Sequence, residues 1–181
     1  MADLLSSKAA RPGCREVSGL HIATLRHLPD DRAAAACVAA LALPWPLDPG
    51  VLAGDDPYLA WRSPTECLLI GTDAQPVSHL LETLAPGRSE TAMACEMAEA
   101  LAVFELYGPK LDDWLCHLVD ALSIPRERGR SSRARMVDIP VLLLRLRSDQ
   151  LWLLADRTIA PYIRNWLTYS HEGAFADSDG P

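Results

Sequence analysis

The spacing of apolar and polar residues changes several times along this chain, and each change marks an element. Val17 to Leu25, with Leu20, Ile22 and the β-forming Val17 and Thr24, predicts a strand that opens the fold. Asp30 or Asp31 then caps a helix that runs to about Leu41, and Pro44-Trp45-Pro46 stops it by removing amide donors. Leu47 to Pro57 is a loop by its Pro, Gly and Asp content. Tyr58 to Arg62 and Glu66 to Ile70 form a hairpin around Ser63-Pro64-Thr65, and Asp73 caps a helix whose Val77, Leu80, Leu81 and Leu84 share one face.

Thr91 to Met97 and Leu101 to Tyr107 follow as extended runs. The second alternates, with Ala102, Phe104 and Leu106 on one side and Val103 on the other. After Gly108-Pro109, Lys110 to Leu122 predicts a helix with Leu111, Trp114, Leu115, Leu118 and Leu122 on its buried stripe. The polar segment Arg126 to Ser132 precedes three β-like runs, Ala134 to Ile139, Val141 to Arg147 and Leu151 to Ala155. Ile159 to Leu167 returns to helical spacing. Hairpins separated by single helices predict an α+β fold, with antiparallel sheets and packed helices in two lobes. The expected organisation is a flexible N-terminus at 1–16, a domain at 17–169 with lobes at about 17–122 and 133–169, and a flexible tail at 170–181.

Composition narrows the class. Of the 181 residues 49% are hydrophobic and 23% charged, which excludes a disordered chain and a multi-span membrane protein. The formal net charge of −7 argues against attraction to nucleic acid or anionic lipid, so neither is an expected partner. The longest apolar stretch, Ala33 to Leu43, falls well short of the ~20 residues needed to cross a bilayer. Met1 to Lys8 does not read as a secretory signal, so the expected location is cytoplasmic. Cys14, Cys37, Cys67, Cys95 and Cys116 form no C-x-x-C pair and are expected to be buried free thiols.

Motifs for nucleotide binding, serine hydrolysis and zinc proteolysis are absent, so no catalytic, cofactor-binding or metal-ligating residue is assigned. His117 reads as a partly buried packing histidine and His21 as solvent-facing. The pairs Asp55-Asp56 and Asp112-Asp113 read as solvated or capping carboxylates rather than an acid/base pair. Arginine is more informative, because Arg126, Arg128, Arg130, Arg133 and Arg135 crowd into ten positions of an acidic chain. Two readings stand side by side: a positive patch for an acidic surface or an anionic cofactor, and an exposed loop. Trp45, set between two prolines, is the tryptophan expected to touch a partner.

Four segments, in this order and spacing, resemble the gamma subunit of heterotetrameric sarcosine oxidases. They are the hairpin Tyr58 to Ile70, the Gly-Pro turn and helix start at Leu106 to Leu115, the basic Arg128-Gly129-Arg130 with the strand after it, and Asp149 to Leu167. The resemblance implies the folate-binding-domain fold of aminomethyltransferases and a subunit without redox chemistry of its own. It implies alpha and beta flavoprotein partners that carry FAD, FMN, NAD and tetrahydrofolate, and a zinc-binding delta chain. Ala94 to Ala98 departs from the wider superfamily, which often has an Asp-x-Ser segment where Cys95 and Met97 stand here. The function this implies is assembly of a flavoenzyme complex that oxidises or demethylates a secondary or tertiary amine. The alternative is a free-standing folate-dependent protein of the same fold.

Overall fold

The computed structural model describes residues 12–28, 31–45 and 47–175. Residues 1–11 and 176–181 of the flexible ends expected at 1–16 and 170–181, and the roles given to Asp30 and Pro46, lie outside the described residues. The strands are β1 (Gly13–Val17), β2 (His21–His27), β3 (Leu52–Ala53), β4 (Tyr58–Ser63), β5 (Glu66–Gly71), β6 (Ala92–Glu96), β7 (Leu101–Tyr107), β8 (Arg130–Met136), β9 (Ile139–Arg147) and β10 (Gln150–Asp156). The helices are α1 (Arg32–Ala40), α2 (Ala74–Thr83), α3 (Leu111–Leu115) and α4 (Ala160–Phe175). The strands make two five-stranded antiparallel sheets, ordered β1-β7-β10-β9-β8 and β3-β4-β5-β2-β6.

Because side chains alternate along a strand, each sheet has two faces to cover. The inner faces meet each other, where Ile22, Ala60, Leu68 and Ile70 of one sheet pack on Val103, Leu142, Leu144, Trp152 and Leu154 of the other. The outer face of the β1-β7-β10-β9-β8 sheet packs Phe104, Leu106, Leu143 and Leu153 against Trp114, Leu115, Ile163 and Leu167 of α3 and α4. The outer face of the second sheet packs Leu25, Leu59 and Leu69 against Val38, Val77 and Leu80 of α1 and α2. The result is four layers, helix, sheet, sheet, helix, which is an α+β architecture of the expected kind.

Several expectations are corrected. The division into lobes at 17–122 and 133–169 does not follow the sheets, because β7 lies between β1 and β10 and joins the sheet of the later strands. The segment expected to be flexible through residue 16 contains β1, whose Gly13 faces Tyr107 and whose Val17 faces Val103. Val17 to Leu25 is two strands, parted at Gly19, which takes a positive φ of 75°. The third helix ends at Leu115, and Leu122 is 97% exposed in a following 3₁₀ turn, Ala121–Ser123, rather than on a buried stripe. His117 is exposed, not packed. The arginine-rich loop is shorter than expected, since β8 begins at Arg130 and turns into β9 through Val137 and Asp138, both at positive φ. Finally, α4 continues through Phe175, past the expected start of the tail at residue 170.

One ion pair with a buried guanidinium fastens helix to sheet. Arg145 of β9 is fully buried and points to the helix side, where it pairs with Asp112 of α3. Its Nε donates to the Pro125 carbonyl at 2.7 Å and Nη1 to the Ser148 carbonyl at 3.2 Å. Truncation leaves a cavity and unpaired acceptors. Arg145→Ala is therefore predicted to cost about 3–5 kcal/mol in urea denaturation, and a loss below about 1 kcal/mol contradicts the assignment.

Asp31 caps α1, as expected of one of the two aspartates. Its Oδ1 accepts the Ala34 amide at 2.7 Å, and the Thr91 hydroxyl donates to Oδ2. The amide and then the hydroxyl hold this carboxyl below its ordinary range. A carboxyl whose folded pKa is depressed adds stability above its unfolded value, and that stability is lost as pH falls through the folded value. Asp31→Ala should cost about 1 kcal/mol at neutral pH, with the gap to the wild type closing below about pH 4. A gap that persists unchanged into acid refutes this account.

Candidate partner interface

After α1 the chain reverses at Ala42, at φ 56°, and Leu43, Trp45 and Leu47 fold back over the α1 and α2 side of the molecule. Trp45 is half-buried there, with its ring edge-on to His27 at a centroid distance of 4.5 Å. With Trp61, Leu47, Pro49, Pro64 and Cys67 it lines a groove of about 550 Å³. Trp45, the tryptophan expected to touch a partner, is thus one wall of this groove.

The five arginines do not form one patch. Arg126 reaches back to Asp112 at 3.3 Å, and Arg128 pairs with Asp55 of the loop between β3 and β4 at 2.6 Å. Arg135 donates to the Asp138 carbonyl at 2.8 Å across its own hairpin. Alternation along β8 puts Arg130 on the helix side, with Ala134 and Met136 in the outer core, and Arg133 and Arg135 on the opposite face. Arg133 borders a cleft between the sheets together with Arg62, Leu68, Met97, Leu101 and Leu154. Among the described residues neither Arg130 nor Arg133 has a carboxylate partner, so these two carry the uncompensated charge of the cluster.

Polar residues overlooked in the sequence hold the sheets in register. Glu105 is buried on β7 and accepts from Arg15 of β1 and Gln150 of β10, tying three strands together. The signal was present: a charged residue inside an otherwise apolar strand needs a partner. Asp55 and Asp56 have structural partners as well, Asp55 in Arg128 and Asp56 in the Thr72 amide at 2.9 Å. Tyr162, Trp166 and Tyr169 form an edge-to-face ladder along α4.

The cleft between the sheets has a volume of about 250 Å³, below the ~300–1,000 Å³ typical of ligand pockets. Apolar side chains, the Arg62 and Arg133 guanidinium groups and the Asp156 carboxylate line it. Among the described residues no three His, Cys, Asp or Glu side chains cluster to hold a metal ion, and no helix is long and apolar enough to cross a membrane.

No family model matches the chain, and no curated protein matches it in sequence. Solved structures do match in fold. A chain of the heterotetrameric sarcosine oxidase from Corynebacterium sp. U-96, a complex with pyrrole 2-carboxylate, superposes with a TM-score of 0.81 at 24% identity, over 94% of this chain and 87% of that one. Glycine cleavage system aminomethyltransferase T from Bartonella henselae superposes with a TM-score of 0.62 at 12% identity, over 88% of this chain and 46% of that one. The fold is the one these two proteins share. This chain spans about half of the aminomethyltransferase and nearly all of the oxidase chain.

The cysteines divide by exposure rather than being uniformly buried. Cys37 and Cys67 are buried, Cys95 is half-buried, and Cys14 and Cys116 are exposed. Burial pushes the Cys67 thiol up to about 12, so it stays protonated and unreactive at neutral pH. A maleimide at pH 7 should label Cys116 in the folded protein and Cys67 only after denaturation. Peptide mapping that finds Cys67 modified in the native state rejects this.

Proposed function

We propose that this chain is a non-catalytic gamma subunit of a sarcosine oxidase-like heteromeric flavoenzyme. In this reading it supports assembly of a complex that oxidises or oxidatively demethylates a secondary or tertiary amine of the N-methyl amino acid class. The observation that carries the reading is the two-way superposition: the fold covers 94% of this chain and 87% of one chain of a heterotetrameric sarcosine oxidase. A match of this extent on both sides supports a subunit that corresponds to that oxidase chain. Alpha and beta flavoprotein partners would carry FAD, FMN, NAD and tetrahydrofolate, with a zinc-binding delta chain as a further partner and the cytoplasm as the location.

The chemistry of the chain agrees with a supporting role. The buried charged groups Arg145, Glu105 and Asp31 are each satisfied by structural partners. Arg130 and Arg133 lie at the surface, where a partner can reach them. A second reading, a free-standing folate-dependent aminomethyltransferase-like protein, draws on the fold shared with aminomethyltransferase T.

Affinity purification of the tagged chain from its native cells should bring down larger chains with flavin absorbance. A well-behaved monomer that captures no flavoprotein overturns the subunit reading. Calorimetric binding of tetrahydrofolate by the chain alone would move the conclusion to the second reading.

A further inference from the structure

Strand β8 ends one sheet and has β9 on one side only. Its other edge is covered at the beginning and open afterwards. The Leu52 amide donates to the Gly129 carbonyl at 2.8 Å, and the Ser131 amide donates to the Gly50 carbonyl at 2.8 Å. In an antiparallel strand the outward-facing backbone groups recur at every second residue. An outward Ser131 amide therefore puts the amides and carbonyls of Arg133 and Arg135 on the same outer edge. Among the described residues no backbone hydrogen bond from another segment reaches them. A row of unpaired backbone groups is a template for one more strand.

The side chains that frame this edge select what can pair with it. Arg133 and Arg135 project from one face of β8, and Arg133 stands near Arg62 at the mouth of the cleft between the sheets. Arg62 is half-buried and already paired with Glu66 at 2.9 Å, while among the described residues Arg133 has no carboxylate partner. On the other face, the 3₁₀ turn Ala121–Ser123 lies beside β8, held by the Ser132 hydroxyl, which donates to the Ser123 carbonyl. That turn presents Leu122, which is 97% exposed. The edge thus offers cations on one side and an apolar contact on the other, in a chain whose net charge is −7.

We infer that the outer edge of β8 at Arg133 to Met136 docks an extended segment of a partner polypeptide by β-strand addition, the segment carrying carboxylates at alternate positions with apolar residues between them. Main-chain pairing to Arg133 and Arg135 supplies the affinity, and the alternation supplies the selectivity. Each carboxylate lies opposite Arg133 or Arg135, and each intervening apolar side chain lies on the Leu122 side. The inference rests on the subunit reading and names the surface and the partner chemistry it would use.

The test uses the full chain and a capped peptide of about seven residues that alternates valine and glutamate. An isomer of the same composition with its glutamates adjacent serves for comparison. Hydrogen exchange should slow at the Arg133 and Arg135 amides on addition of the alternating peptide. That peptide should bind at least about tenfold more tightly than the isomer, and Arg133→Glu should remove that preference. Equal binding of the two peptides, protection at a different strand edge, self-association of the chain through β8, or no binding at millimolar peptide each overturns the inference.

The two readings fail separately. Undiminished capture of flavoprotein by Arg133→Glu refutes the edge and leaves the subunit assignment standing. Selective peptide binding by a chain that captures no flavoprotein refutes the assignment and leaves the edge.

Discussion

Both sheets of this molecule have to bury two faces, and that requirement shapes nearly everything else. A sheet with one wet face can alternate apolar and polar residues, but a sheet covered on both sides needs near-continuous apolar strands. Val141 to Leu144 and Leu151 to Ala155 are such runs, with alternate residues sent to the inner and outer cores. Each fully buried leucine contributes about 1.5–3 kcal/mol. Contact between the inner faces is therefore the interaction on which the four layers depend.

Placing helices outside both sheets leaves little room for chemistry in the middle. The inner core is filled by Ile, Leu and Trp side chains, with Tyr58 edge-on to Trp152 at 5.5 Å. Charges that enter the layers, Arg145 and Glu105, bind segments together rather than face a ligand. What remains for recognition is the periphery: strand edges, the groove beside Trp45 and the aromatic ladder of α4.

Much of the fold was legible because burial and periodicity agree in the central elements. The hairpin of β4 and β5, the two faces of β7, and the aspartate caps of α1 and α2 follow directly from alternation, helical spacing and capping chemistry. Legibility failed where a partner far along the chain decides the outcome. Gly13–Val17 is mostly polar and exposed, and only its pairing with β7 makes it a strand. Leu118 is buried without helix around it, because position in a turn buries a side chain as well as helical spacing does. The arginine cluster was visible as composition, but its division between the two faces of β8 depended on where that strand begins. Arg145 was visible as the one charge within Val141 to Leu146, and its partner Asp112 was hidden by sequence distance.

The distance between β1 and its neighbour also bears on how the protein is made. The sheet that ends with β6 has all its strands by Glu96, whereas the other cannot join β7 to β9 until β10 is present. Contacts between residues so far apart in sequence form slowly. On the ribosome, then, the early sheet would show Ile22, Leu68 and Ile70 to water while its cover is still being translated. Such a nascent chain is prone to aggregate and has reason to meet a chaperone before its last strands emerge.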